Sequence, residues 1–305
     1  MKKVDLAIAV DWEYDWDFVK ILEQMANQLS LSTYIVWSGN FKETCKSLKN
    51  GELTFQYIYD RASDTSPYFV GIYDWVIEHS GGTLETWENI KWASDKATMH
   101  LEFIANGLNT PYTIILPSFN KEESIYLTLD DLAFLGRPFI IKPANTTGGG
   151  IGVVDGAETL HDVLQTRKEF YNDKYLLQEK VIPLEMDGKR FWFRGFYACG
   201  LVQCTWWNDL THIYKELTQD EIQKYDLNSL FEIIQKISEI SKINFFSTEI
   251  ALTDSRKFVV VDYVNETCDM RLQSQAIDGI PNAIVERIAM QICRFIKKQI
   301  SSLPD

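Results

Sequence analysis

The chain reads as an α/β protein that passes into α+β, and three observations carry that reading. Over residues 1–91, apolar strand patterns alternate with amphipathic helix patterns through short connections. That β-α-β-α-β order builds a small parallel sheet with helices on its faces, a Rossmann-like domain. Beyond Arg190 the pattern turns antiparallel, with dense aromatics on both sides of a Cys199-Gly200 turn, the signature of a hairpin with one buried face. Between the two lies Arg137-Pro138-Phe139-Ile140-Ile141-Lys142-Pro143, and then Asn145-Thr146-Thr147-Gly148-Gly149-Gly150-Ile151-Gly152-Val153. A short strand delivers a lysine, a glycine loop follows, and a second apolar strand begins.

Each element has its own justification. Residues 4–11 form an apolar run too short for a signal sequence and suited to a buried strand. Residues 18–29 carry Phe18, Ile21, Leu22, Met25 and Leu29 at helical spacing. A second strand is predicted at 33–37, a helix at 41–48 and a third strand at 55–59. Ser94 is the expected N-cap of a helix over 95–106, which stops at Gly107. Strands are expected at 113–116 and 139–142 with a helix at 128–135 between them, then a helix near 157–171 and a strand at 175–181. The hairpin over 191–207 follows, then an amphipathic helix at 230–240 and paired strands at 245–252 and 257–263. A helix over 281–299 closes the chain, with Lys297 and Lys298 near its negative end. The expected division is 1–91, 92–181 and 182–305.

Composition narrows the function. With 43 acidic against 30 basic residues and a net charge of −13, the chain does not offer a nucleic-acid surface. No apolar run approaches membrane-spanning length. Five scattered cysteines without metal-ligand spacing fit reduced thiols and a cytoplasmic setting. The four histidines form no triad or metal pattern.

The glycine loop is neither a P-loop, since no Gly-Lys-Ser/Thr closes it, nor a dinucleotide fingerprint, since it runs between strands. Glycines nonetheless let backbone N–H groups face a phosphate, and Lys142 adds a fixed positive charge. Other candidates follow in order: Lys96 at a helix start, Glu179 on the run Gln178-Glu179-Lys180-Val181-Ile182, Glu185 beyond it, and Glu249 with Asp262 and Asn265. Glu249 and Asp262 fall on adjacent strands, so two carboxylates and an amide, all hard oxygen donors, could hold Mg²⁺ with substrate phosphates.

In this order the motifs resemble the ATP-grasp superfamily, whose members include D-alanine–D-alanine ligases, glutathione synthetases and ribosomal-protein glutamate ligases. The resemblance covers residues 92–271 and implies two α+β lobes sandwiching ATP behind the Rossmann-like domain. It implies that Lys96, Lys142 and the loop from Thr146 through Thr147, Gly148, Gly149 and Gly150 to Gly152 hold the phosphates. Gln178, Glu179, Lys180 and Ile182 would form the adenine hinge, with Glu185, or Asp187, on the ribose. Glu249, Asp262 and Asn265 would hold Mg²⁺, as one ion or two, with Mn²⁺ as substitute. The chain departs from the family in leaving two residues between Asp262 and Asn265 and in using aspartate where glutamate is more frequent. Arg194 and Arg271 match arginines near an acyl phosphate, where a guanidinium engages two oxygens at once.

The resemblance thus implies a ligase that joins a carboxylate to an amine or thiol and releases ADP and phosphate. Its substrates would be small molecules or peptides, with no nucleic acid or membrane partner, and a homodimer is an expected assembly. The alternatives are an ATP-grasp-type kinase acting on a small molecule and a non-catalytic nucleotide-binding protein. Lys215 reads as a surface lysine, with a phosphate contact as the alternative. The acidic and aromatic run from Asp11 to Asp17, with Arg61 after the third strand, reads as a helix entry or as a substrate contact.

Overall fold

The protein is described by a computed structural model, which covers residues 1–145 and 150–303. Three large sheets organise the described residues, beside a two-stranded ribbon of Glu185–Met186 and Lys189–Arg190. The first contains Lys2–Val10, Thr33–Val36, Leu53–Arg61 and Gly82–Thr83, all parallel, with the first strand between the second and third. Every residue from Leu6 to Val10 is buried, as expected where helices cover both faces of a parallel sheet. One face packs on the helix Val70–Glu78 through Phe69, Ile72 and Val76. The other packs on Trp16–Gln28 and, beside it, on the chain-closing helix Asn282–Ile300, which places Ile284, Ile288 and Ile292 in the same core as Leu6 and Phe18.

The second sheet is antiparallel and runs in the order Thr113–Leu116, Tyr175–Glu179, Phe139–Pro143, Val154–Ala157. Its helices Leu129–Leu135 and Leu160–Thr166 both start at capping boxes, Thr128 with Asp131 and Thr159 with Asp162. The third sheet is antiparallel and five-stranded, in the order Tyr214–Glu216, Leu201–Trp207, Trp192–Ala198, Phe245–Leu252, Phe258–Asn265. Cys199 and Gly200, with φ of 49° and 94°, make the turn of its central hairpin, where two left-handed residues match the strand twist. The helices Asn228–Ser241 and Lys96–Ala105 cover one face of this sheet. A Cβ at Gly195 would lie 2.4 Å from Ile234 Cδ1, so glycine lets the helix seat against the strand.

Several boundaries differ from the sequence expectation. Ser94 ends a helix, Trp87–Ser94, and Asp95 is the N-cap of Lys96–Ala105. One Asp95 oxygen accepts from Ala97 N and Thr98 N, both at 3.0 Å, and the other takes the Lys174 ammonium. A carboxylate able to serve three donors outcompetes the neighbouring hydroxyl. The helix expected over 157–171 is only Leu160–Thr166, because Arg167 turns inward and its buried guanidinium donates to Pro117 O at 2.7 Å and Glu122 O at 2.8 Å. Val70–Glu78 and Gln219–Tyr225 are helices beyond the sequence expectation.

Candidate active site

The centre of the candidate site is set by strand register. Glu249 pairs directly with Asp262 across antiparallel strands, next to an irregularity in the ladder, and Arg194 pairs with Glu249 on its other side. Cross-strand partners project to the same face, so the register itself gathers the three side chains. The Arg194 guanidinium ion-pairs with Glu249 through Nη1 and donates to Ser247 Oγ at 2.9 Å. Trp192, two residues earlier and on the same face, donates its indole N–H to Glu249 Oε2 at 3.2 Å. Asn265 Nδ2 donates to Asp262 Oδ2 at 2.8 Å. Its amide oxygen is thereby the end left to face an ion, and with Glu249 and Asp262 it forms a hard-oxygen set that suits Mg²⁺. Among the described residues, no cluster of three or more His, Cys, Asp or Glu side chains could hold a metal by itself, so substrate oxygens or water would complete the shell.

Two lysines face this pair of acids. Lys142, buried on Phe139–Pro143, reaches from the second sheet to the last strand of the third. Its ammonium donates to Val261 O at 3.1 Å and lies 4.0 Å from Asp262 Oδ1. Lys96 opens its helix next to the end of the strand that carries Lys142, since its backbone N–H donates to Ala144 O at 3.0 Å. The electrostatics follow. Burial pushes Glu249 up to about 7, against the Arg194 charge and with help from Asp262. Burial would raise Asp262 too, but Lys142, Lys96 and Arg194 hold it at about 2. Burial lowers the Lys142 ammonium, which Asp262 opposes and Lys96 reinforces. The arrangement is a partly balanced cluster of like and unlike charges (Asp262 kept ionised, Glu249 poised near neutrality), the kind that marks functional sites.

Beneath Lys142 lies a buried polar network, of whose members only Gln178 was a sequence candidate, as part of the adenine hinge. The Tyr263 ring sits 5.0 Å from the ammonium. Its hydroxyl meets His100 Nδ1 at 2.9 Å and Gln178 Nε2 at 3.0 Å, and Gln178 also donates to Thr113 Oγ1 at 3.0 Å. A buried tyrosine one residue after Asp262 points to the opposite face of its strand, a placement legible from strand period alone. Burial and the Lys142 charge lower His100 to about 4, so it is neutral.

The other sequence candidates fall elsewhere. Gly150 and Gly152 both have left-handed φ, 71° and 73°, and a Cβ on Gly152 would lie 2.5 Å from the Phe170 ring. Thr146, Thr147, Gly148 and Gly149 lie outside the described residues. Residues 180–182 carry the chain from the second sheet to the third, where Val181 packs on Trp192, Ala251 and Val261. Ile182 is exposed there. Glu179, next to that crossing, accepts Tyr112 N–H at 2.7 Å, and Lys180 pairs with Asp155. Glu185 is exposed and paired with Arg190, and Asp187 with Lys224. Arg271 stands apart, its guanidinium shared by Asp269 and Asp278. Lys215 is exposed on an edge strand. Arg61 is completely buried on Asp15, so the arginine read as a possible substrate contact is spent within the chain.

The chain has the ATP-grasp fold. It superimposes on D-alanine–D-alanine ligase from Bacillus anthracis complexed with ATP at a TM-score of 0.64, with 11% identity, over 99% of this chain and 100% of that one. A RimK domain ATP-grasp protein from Sphaerobacter thermophilus matches at 0.62 with 15% identity, over 95% of this chain and 98% of that one. The macrocyclase MdnC of Microcystis aeruginosa, solved with its precursor peptide MdnA, matches at 0.62 with 10% identity, over 96% and 99%. No protein-family model and no curated protein matches the sequence. Among the described residues no helix is long and apolar enough to cross a membrane.

Proposed function

We propose that this protein is an ATP-dependent ligase that joins a carboxylate, on a small molecule or a peptide, to an amine through an acyl phosphate. The observation that carries the reading is the convergence of Lys142, Lys96, Arg194, Glu249 and Asp262, drawn from two sheets and a helix. The solved ligases with the same fold support it. A carboxylate oxygen attacks the γ-phosphorus of ATP, and ADP departs. The amine then attacks the acyl carbon, phosphate leaves and the amine loses a proton.

The chain's own groups supply position and charge. Lys142 and Lys96 hold phosphate oxygens, and fixed charges placed this close stabilise the charge that develops there. Glu249, Asp262 and Asn265 would hold Mg²⁺, which neutralises phosphate charge when bound. Arg194 is the guanidinium nearest these groups and is the one assigned to the acyl phosphate. Arg271 would have to leave Asp269 and Asp278 to join it. The adenine is assigned to the crossing at 180–182.

The test is ADP release from Mg·ATP against a panel of amino acids, small carboxylates and peptides, with hydroxylamine added to capture the acyl phosphate as a hydroxamate detected by mass. A carboxylate-dependent hydroxamate is expected, and Arg194→Lys should reduce it more than it weakens ATP binding. A stable phosphorylated product without hydroxamate would make the protein a kinase.

A further inference from the structure

Tyr263 is built into the site in a way that packing alone does not require. It is completely buried on Phe258–Asn265, directly after Asp262, with its ring 5.0 Å from the Lys142 ammonium. Its hydroxyl accepts from Gln178 Nε2 at 3.0 Å, which leaves the hydroxyl hydrogen for His100 Nδ1 at 2.9 Å. Gln178 also donates to Thr113 Oγ1. The network therefore joins three elements that carry or adjoin site residues. His100 lies on the helix that Lys96 opens, Gln178 on the strand paired with that of Lys142, and Tyr263 on the strand of Asp262 and Asn265.

As plain core the network is unfavourable. Gln178 is fully buried, and turning its amide hydrogens toward Tyr263 and Thr113 leaves its Oε1 without a partner. Apolar side chains of similar volume would fill the same space without that penalty. What the polar groups add is a ring fixed in place, because a hydroxyl held from two sides keeps the ring from sliding. Lys142 lies against that ring. Among the described residues its ammonium gives one of three donors to Val261 O at 3.1 Å, and Asp262 Oδ1 at 4.0 Å is beyond hydrogen-bond reach. Two donors on a buried lysine thus remain for a ligand. Their direction is set by Val261 O on one side and by the Tyr263 ring on the other, and a cation over an aromatic face is attracted to it.

We propose that Tyr263 is a positioning residue, its ring held by His100 and Gln178 so that the two remaining donors of Lys142 meet the phosphates of the nucleotide. The inference rests on the reading of Lys142 as a phosphate contact and adds to it the groups that aim the lysine. Loss of the hydroxyl, with the ring retained, is then felt at the phosphates and not at the base.

The test uses the full chain and calorimetry with a non-hydrolysable ATP analogue and Mg²⁺, with adenosine measured by competition. The proteins are the parent, Tyr263→Phe, Lys142→Ala and the double variant. Tyr263→Phe should weaken the analogue by roughly fivefold to tenfold, and adenosine by less than about twofold. In the double variant it should add less than about twofold to the effect of Lys142→Ala, since the two side chains act as one unit. Should adenosine bind too weakly to compete, the double variant decides alone. His100→Leu, which removes one partner of the hydroxyl, should weaken the analogue in the same way. His100→Asn, whose amide oxygen reaches the position of Nδ1, should bind like the parent, and this pair decides should Tyr263→Phe fold poorly. Equal weakening of analogue and adenosine, or full additivity with Lys142→Ala, would make Tyr263 ordinary core and leave the ligase reading standing. Parental affinity in both Tyr263→Phe and His100→Leu would overturn the proposal in the same way. If Lys142→Ala binds like the parent, or the parent does not bind the analogue, the phosphate reading fails and this inference goes with it.

Discussion

Replacing Asp15 by alanine should destabilise the protein more than almost any other single polar change, and the reason lies in the surroundings of Arg61. Both side chains are buried, with Arg61 2% and Asp15 1% exposed. Arg61 donates Nε to Asp15 Oδ2 and Nη2 to Asp15 Oδ1, both at 2.7 Å. It also donates to Tyr59 Oη at 3.0 Å and to Cys268 O at 2.8 Å, while its guanidinium sits 4.9 Å from the Phe18 ring. One side chain thus ties the third strand, the turn after the first strand and the loop beyond Asn265. Removing the carboxylate leaves a buried cation with two of its four hydrogen bonds lost. Loss of one partner from a buried pair costs about 3–5 kcal/mol. At roughly 1.6 °C per kcal/mol for a chain of 305 residues, the melting temperature should fall by about 5–8 °C. Urea unfolding followed by far-UV circular dichroism measures it, with the m-value required to stay constant. The double change Asp15→Leu with Arg61→Met should recover at least half of the loss, since the cost comes from an uncompensated charge. A loss below about 1 kcal/mol for Asp15→Ala, or a double variant as unstable as the single, would refute this reasoning.

Lys142→Ala should weaken Mg·ATP binding at least tenfold by calorimetry with an unchanged far-UV spectrum, and parental affinity would show that the phosphates lie elsewhere. Asp262→Asn should lower substrate-dependent ADP release on the order of a hundredfold, because charge neutralisation supplies most of the rate in phosphoryl transfer; full turnover would remove Asp262 from the metal site. His100, held at about 4 in the fold against an ordinary value near 6.5, is neutral when folded and takes up a proton on unfolding below that range. Its contribution is therefore fully present above about pH 6.5 and lost as pH falls toward 4, by up to about 3 kcal/mol. His100→Phe should flatten that part of the stability–pH profile, and an identical slope in the variant would assign it to another group.

Much of the site was legible before folding because its parts sit on regular elements. Lys142 ends an apolar strand, and Glu249 and Asp262 lie on two strands joined by a short turn, so period and pairing bring them together. Trp192 and Tyr263 could have been found by the same rule, one sharing the face of Arg194 and the other lying opposite Asp262. Arg61 was not legible. Its position at the end of a parallel strand suits a ligand contact equally well, and only the placement of Asp15, 46 positions away, decides that it is structural. Arg271 is similar, since its two carboxylate partners come from a loop whose path no local pattern sets.

The sequence by itself determined most of the order of strands and helices, the central hairpin and its turn, the lysine strand running into a glycine loop, and the acid pair. These follow from side-chain period, capping and turn chemistry, which act over a few residues. Only the tertiary structure decided how the segments share cores. The chain-closing helix completes the core of the first sheet, and the helix begun by Lys96 covers the third sheet while its first N–H bonds Ala144 at the end of the strand that carries Lys142. Burial of apolar faces against distant partners is non-directional, so an amphipathic helix specifies that it will be covered but not by what. The electrostatics were settled at the same level: a lysine crossing to Val261 O and a glutamate left half-satisfied at Glu85 depend on packing between elements that no pattern along the chain sets.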